Sequence, residues 1–574
     1  MANLNTTVTK THRYDAIVIG SGISGGWAAK ELCEKGLKTL VLEKGRLVNH
    51  IDDYPTMNHD HWDFTHRGNL SHQDQKDYYV QVRSGFVGES TKHFFTKDID
   101  DPYEEIRPFD WIRGNQTGGR SLIWGRHCYR WSDLDFTANA REGIAIDWPI
   151  RYKDLEPWYT YVEKFVGISG EKLGLAHLPD GYFLPPMELN CIENHVKQAV
   201  MKKFSNRPVT IGRVAHLTDP QPWHQELGRA KCQNRNRCSR GCPYGAYFSS
   251  NSATLPAANR TGNFTIRPNS VVHSIIFDEK AGEATGVRVV DRETKEMTEF
   301  YAKLIFCCAS SMASTQILLN SRSRRFPNGL GNDSGELGHN IMDHHYHVGA
   351  VGTYDGFEDQ YYKGRRPGGL FIPRYVNLDA STRNPNFLRG YDYQGAGAGR
   401  DNWGAGVNQP GVGASFKDSL FKPGGWSMGL MGFGEVLPDH NNKVTLSPNK
   451  KDQWGLPTLV FDADFGANER AMRKQMMADA ADMLEASGLS NIKTFDHSGG
   501  MGVGVHEMGT ARMGRDPKTS VLNGNNQVWG CSNLFVTDGA CMTSSSCVNP
   551  SITYMALTAR AVDFATRSLN RHEL

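Results

Sequence analysis

The stretch that most constrains this chain lies near its start: Tyr14-Asp-Ala-Ile-Val-Ile-Gly-Ser-Gly-Ile-Ser-Gly-Gly-Trp-Ala-Ala-Lys-Glu-Leu-Cys-Glu-Lys-Gly36, followed by Leu37-Lys-Thr-Leu-Val-Leu-Glu43. The apolar run 16–19 predicts a buried parallel strand. It ends in Gly20-x-Gly22-x-x-Gly25, after which Trp27, Ala28, Leu32 and Cys33 recur at helical spacing until Gly36 stops the helix. A second apolar run ends at an acid, Glu43. The glycines permit a tight turn, close approach of backbone to a pyrophosphate, and close helix-on-strand packing. Phosphates would sit on the helix N-terminus, and Glu43 would accept hydrogen bonds from a ribose. A lone G-x-G-x-x-G is often only a glycine-rich turn. Strand, helix, second strand and acid in this order predict a dinucleotide-binding α/β unit.

At 574 residues the chain exceeds a usual single core, so two or more domains are expected. The formal net charge of +2 gives no reason to expect a nucleic-acid partner. No apolar run approaches the ~20 residues needed to span a bilayer. The N-terminus lacks a charged start followed by an apolar core, so no signal peptide is expected and the chain is read as folding in the cytoplasm. Eleven cysteines, an odd number in a large chain, argue against a disulfide framework.

Residues 46–110 are polar and aromatic with no clean period. They read as an excursion over the nucleotide unit, with no chemistry assigned to His59, His61 or His66. Next comes Arg113-Gly-Asn-Gln-Thr-Gly-Gly-Arg-Ser-Leu-Ile-Trp-Gly-Arg-His-Cys-Tyr-Arg130. Gly114, Gly118 and Gly119 let backbone approach a flat or phosphorylated ligand, and Asn115 and Ser121 add hydrogen bonding. Trp124 and Cys128 within the stretch argue against a mere surface turn. Helices are expected at 155–166 and 192–201. They precede a basic loop, Lys231-Cys-Gln-Asn-Arg-Asn-Arg-Cys-Ser-Arg-Gly-Cys-Pro243, with the spacing C-x5-C-x3-C-P. Three thiolates at Cys232, Cys238 and Cys242 resemble iron–sulfur ligation more than a zinc site, which usually takes four ligands from paired turns. Structural thiols remain the alternative. Arg235, Arg237 and Arg240 would offset the charge of a thiolate-bound cluster.

Strands are expected at 270–277, 284–290 and 304–309, with a helix at 311–320. The first of these strands, with Val272, could offer backbone amides to an adenine; an ordinary extension of the sheet is the alternative, and both can hold. Residues 331–500 change character, with a glycine-rich run at 395–413, aromatics and short strands, and read as a second, sheet-based domain. Asp343-His-His-Tyr-His347 has no acidic or cysteine partner at metal spacing and reads as structural. Near the end stand Val505-His-Glu-Met-Gly-Thr-Ala-Arg-Met-Gly514 and Asn533-Leu-Phe-Val-Thr-Asp-Gly-Ala540, then Ser546-Cys-Val-Asn-Pro-Ser551 and a final helix, 552–569. Asp538 and Gly539, at the end of an apolar strand, suit ribityl or ribose hydroxyls. Both ends of the chain therefore converge on one ligand.

Taken together these pieces resemble the glucose–methanol–choline (GMC) flavin oxidoreductases. The resemblance rests on Gly20 to Gly25, Glu43, the loop 114–124, His506-Glu-Met-Gly-Thr, Asp538-Gly539 and Asn549-Pro550, and spans almost the whole chain. It implies an α/β fold: a Rossmann-like FAD-binding domain over 10–330, including the loop 231–243, then a substrate domain over 331–500. Residues 501–574 would return to the FAD-binding domain with the catalytic residues. It implies oxidation of an alcohol carbon, with His506 and Asn549 as a catalytic pair. Covalently flavinylated sugar oxidases have a histidine before the tryptophan of the glycine loop. Ile123 stands there in this chain, so noncovalent FAD is expected. The cysteine loop is similar to that of bacterial sugar dehydrogenases carrying a three-iron, four-sulfur (3Fe-4S) cluster, with glucoside 3-dehydrogenases favoured over glucose, gluconate and sorbitol dehydrogenases. That branch implies a small companion subunit, a cytochrome c or other electron acceptor, and export to the periplasm with the signal-bearing partner. An oxygen-using sugar oxidase, a nicotinamide enzyme and an electron-transfer subunit are the competing readings. A neutral imidazole with a pKa near the operating pH would take the hydroxyl proton, and Asn549 would orient the oxygen.

Overall fold

The computed structural model describes residues 3–360, 368–399, 411–421, 425–497 and 499–574. Its first layer is a mixed sheet of eight strands whose parallel core runs Cys531–Val536, Met297–Cys307, Arg13–Ile19, Thr39–Leu42 and Phe264–Arg267. The register brings Ile17 opposite Leu40 on one side and Ile305 on the other, and Leu534 opposite Ile305. Successive strand residues point to opposite faces. Ile17, Ile19, Leu40 and Leu42 enter one core. Ala16, Val18 and Val41 enter another, beside Leu32 of the helix Ile23–Glu34 and Val562 of the helix Ser551–Asn570. Covering on both faces explains why these strands read as continuous apolar runs. The C-terminal strand and helix thus complete a sheet begun by residue 13.

The expected strand at 304–309 is the end of an eleven-residue strand, Met297–Cys307. Its first half pairs at a partly exposed edge and carries polar residues, so only its buried half shows an apolar run. The antiparallel pair Ser270–Asp278 and Glu283–Asp291 extends this sheet. Residues 46–110 hold short turns of 3-10 helix and the helix His72–Asp77, whose N-cap Ser71 accepts from the Asp74 N–H.

The second layer is an antiparallel sheet ordered Ser490–Asp496, Val348–Tyr354, Trp426–Gly434, Tyr391–Ala398, Leu370–Ile372 and Thr210–Ile211. The helix Ala467–Ala486 lays Met472, Met476 and Met483 on it. The glycine-rich run enters this sheet at Gly395, and its residues 400–410 lie outside the described residues. Among the described residues no helix is long and apolar enough to cross a membrane.

Candidate active site

A cavity of about 570 Å³ runs from the first sheet to the second. Its floor begins at Gly20, whose φ of +92° turns the chain sharply; a side chain there would meet the Cys308 carbonyl oxygen at 2.5 Å. A Cβ on Gly25 would overlap the Gly20 oxygen and lie 2.8 Å from its carbonyl carbon, so helix and strand pack backbone to backbone. Gly22 instead faces open space and caps the helix Ile23–Glu34 without a side-chain acceptor, leaving first-turn N–H groups for a ligand.

Glu43 closes the turn from below. One oxygen accepts from the Ser21 N–H and hydroxyl, and the other from the Gly45 N–H at 2.9 Å, which leaves acceptor capacity toward the cavity. Burial raises its pKa against these hydrogen bonds. Asp538 accepts from the Ala540 N–H and the Ser314 hydroxyl, and burial pushes it up to about 6. Val272 and Gly539 line the same wall.

The glycine loop lies across this floor. Gly118 N–H donates to Ser21 Oγ at 2.9 Å, and a Cβ on Gly119 would stand 3.4 Å from Gly22 Cα. Gly114, Asn115, Gly119 and Ser121 face the cavity. Two of them are occupied internally: the Asn115 amide donates to Asp101, and Ser121 bridges the Gly118 carbonyl and the Ser250 N–H. Their polar groups chiefly hold the loop. Tyr554, which the sequence reading missed, lines the cavity with a buried hydroxyl that lacks a hydrogen-bond partner among the described residues. An orphaned donor of that kind, the open face of Gly22 and the two carboxylates fit the phosphates and hydroxyls of FAD. Ile123, also on the wall, offers no nucleophile for a covalent link.

At the far end the structure brings His506 and Asn549 to one cavity. Val505 precedes the histidine with a φ of +57°, a strained value for a β-branched residue. Asp343 holds that strain: its buried carboxylate accepts from the N–H groups of Gly502, Gly504 and His506 at 2.9–3.0 Å. Burial, helped by the charge of Glu507, pushes Asp343 up to about 7. His506 Nδ1 lies 3.0 Å from His344 Nδ1. Burial lowers the His506 pKa well below 6.5, reinforced by His344, Arg120 and His127, so its pKa is not near neutrality. Beside it Glu507 takes a two-pronged ion pair from Arg120, tying the glycine loop to the catalytic segment. Asn549 Oδ1 accepts from Gln394 Nε2 at 2.7 Å, which leaves its Nδ2–H groups as the donors a substrate oxygen can use.

His344 and Gln394 therefore belong to the site. The segment 343–347, read as structural, supplies both the clamp on the His506 backbone and a ring against its side chain. An i,i+1 histidine pair in sequence carries no signal of that contact.

The cysteine loop reaches the same cavity through Cys238. Cys238 and Cys242 both act electrostatically on the buried Tyr247 hydroxyl. Arg229 is buried to 1% exposure and donates to the carbonyls of Gly245, Phe165 and Val166; burial pulls it down to about 9, opposed by Cys242. Among the described residues no three His, Cys, Asp or Glu side chains stand together as a metal-ligand set.

Comparison with known proteins agrees with this geometry. A family model described as GMC oxidoreductase matches residues 14–346, and a second with the same description matches residues 438–558. The chain is 28% identical to 2-methyl-1,2-propanediol dehydrogenase of Mycolicibacterium austroafricanum, covering 97% of this chain and 96% of the relative. It is 25% identical to the fructose dehydrogenase large subunit of Gluconobacter japonicus, covering 97% and 98%. A formate oxidase structure from Aspergillus oryzae superposes with a TM-score of 0.61 at 15% identity over 99% of this chain and 100% of that one. Fold, cofactor cradle and family match lead to one conclusion: the chain belongs to the GMC oxidoreductases, FAD enzymes that act on CH–OH groups of alcohols and sugars.

Proposed function

We propose that this protein is an FAD-dependent dehydrogenase oxidising a secondary hydroxyl of a sugar or glycoside, with carbon 3 of glucosides favoured, and passing electrons to an external acceptor. The observation that carries the reading is that His506 and the hydrogen-bonded pair Asn549 and Gln394 line the same cavity as the dinucleotide cradle. FAD, bound noncovalently beside Ile123, would supply the acceptor for the two electrons of the carbinol. His506, neutral because it is buried, takes the hydroxyl proton on a ring nitrogen. Asn549, held by Gln394, donates to the substrate oxygen and orients it. The sheet behind Gln394, apart from its edge strand Thr210–Ile211, belongs to the substrate domain, proposed as 331–500 between an FAD-binding domain at 10–330 and its return at 501–574.

A base must be unprotonated to act. With its pKa depressed, His506 stays in that form throughout the neutral range. The flavin-reduction rate is therefore expected to be level above pH 6.5 and to fall only below it, as read by stopped-flow bleaching. A break at or above that value would belong to another group, Asp343 at about 7 being the nearest.

Cys232, Cys238 and Cys242, which do not stand together as a ligand set among the described residues, would have to draw together to hold a 3Fe-4S cluster; it would supply one-electron exchange with a cytochrome c or another acceptor, in an assembly with a small companion subunit that would carry the export signal to the periplasm. Two features support this. Cys238 lies on the wall of the FAD cavity, and Arg229 is a buried cation with no carboxylate in ion-pair reach among the described residues, a charge that a thiolate-bound anion would balance. The name of the Gluconobacter relative, a large subunit, supports the companion. The test is cofactor content. The purified chain should release all its flavin on denaturation and contain iron with acid-labile sulfide. Cys242→Ser should remove iron and sulfide and lower turnover with the acceptor, while substrate still bleaches the flavin in a single turnover. Zinc without sulfide in the wild-type protein would refute the cluster.

A further inference from the structure

We propose that His344 is a positioning residue that sets the tautomer of His506, placing a proton on His506 Nδ1 and leaving Nε2 as the bare acceptor. The inference rests on the reading of His506 as the base.

His344 Nε2 lies within hydrogen-bond reach of the Ser546 carbonyl oxygen, which has no proton to give. His344 Nε2 is therefore the donor. His344 is fully buried, and burial holds its pKa down at about 4, so the ring is neutral and carries that one proton only. Its Nδ1 is then a bare lone pair. That lone pair stands 3.0 Å from His506 Nδ1, with the two rings nearly perpendicular at 86°. Two bare nitrogens at this distance repel, so His506 Nδ1 must be the donor. His506 is itself neutral and has no second proton. Its Nε2 is left bare, on the opposite edge of a ring that lines the cavity.

The two carboxylates beside the pair do not compete for these ring nitrogens. Asp343 spends its carboxylate on backbone N–H groups, Glu507 is paired with Arg120, and His127 acts on His506 through its field. Once His506 takes a substrate proton at Nε2, its Nδ1–H remains bonded to His344. The Ser546 carbonyl cannot accept a proton, so no relay runs beyond His344. His344 thus does for this base what an orienting carboxylate does in a hydrolase triad, but without a charge that would raise the pKa of His506.

The test is the protonation state of the histidine rings in the oxidised holoenzyme. With histidine 15N-labelled, multiple-bond 15N–1H spectra separate protonated from bare ring nitrogens, and His506→Gln and His344→Phe assign the two residues among the 21 histidines. The expected result is a protonated Nδ1 and bare Nε2 on His506. A protonated Nε2 in the wild-type protein overturns the proposal. His344→Phe, which removes the acceptor, should move His506 toward the other tautomer and slow limiting flavin reduction roughly 10²-fold, with substrate Kd and FAD content unchanged. His344→Asn, whose side-chain carbonyl can accept from Nδ1, should recover part of the rate. Unchanged rate and unchanged tautomer in His344→Phe would also overturn it. If that variant does not fold, the wild-type spectrum decides alone. The base reading fails separately, by wild-type flavin reduction in His506→Ala.

Discussion

Replacing His506 with alanine is expected to leave FAD bound and to slow flavin reduction by roughly 10²–10⁴-fold, the usual worth of a positioned general base. The cofactor cradle is built from other residues: the turn at Gly20 to Gly25, Glu43 and Asp538 hold their places through bonds that His506 does not touch. The visible spectrum should therefore hardly change. Asn549→Ala should cost less, because the proton acceptor stays and only the donor to the substrate oxygen is lost. Gln394→Ala should act in the same direction as Asn549→Ala and more weakly, since it frees the Asn549 amide to turn without removing it. Raising the pH should partly rescue His506→Ala, as a more ionised substrate hydroxyl needs a base less.

The second large effect is expected at Gly25. An added methyl group would overlap the Gly20 carbonyl, and both atoms belong to backbone that cannot swing aside. Overpacking of this kind costs about 1–3 kcal/mol. Because it displaces the turn that carries the phosphates, Gly25→Ala should weaken FAD by roughly ten- to hundredfold and lower the apo-protein Tm as well. Gly22→Ala separates the two effects. Its Cβ would point into open space, so the apo-protein Tm should hold while FAD affinity falls, since the methyl group occupies the cofactor's approach. Fluorescence titration with FAD and thermal unfolding of the apo-protein measure both quantities. Equal behaviour of the two variants would contradict this division.

The dinucleotide unit was legible from sequence because sterics dictate its spacing locally: strand, glycines, helix and acid lie within 43 residues. The C-terminal strand was legible for the same reason, as a buried parallel strand shows an unbroken apolar run. What was not legible came from contacts between distant segments. Gln394 meets Asn549 across 155 positions and His344 meets His506 across 162, and neither contact leaves a period in the chain. The ion pair between Arg120 and Glu507 spans 387 positions, and it accounts for Arg120, to which the spacing of the loop assigns no role. Asn115 and Ser121 were read as ligand-facing because polar residues in a glycine loop suggest it. In the folded chain their hydrogen bonds are largely taken by Asp101, Gly118 and Ser250. The lowered pKa of His506 was illegible for the same reason, since the depth of its burial depends on how distant segments close over it.

Anaerobic mixing of the holoenzyme with a panel of sugars, methyl glucosides and small diols, followed by NMR of the product carbonyl, tests whether this cavity oxidises a secondary sugar hydroxyl with His506 as base. A glucoside is expected to bleach the flavin and yield a ketone at carbon 3, and His506→Ala to suppress this bleaching. Bleaching by small diols with none by any sugar or glycoside, or bleaching by a glucoside at the wild-type rate in His506→Ala, would contradict this reading.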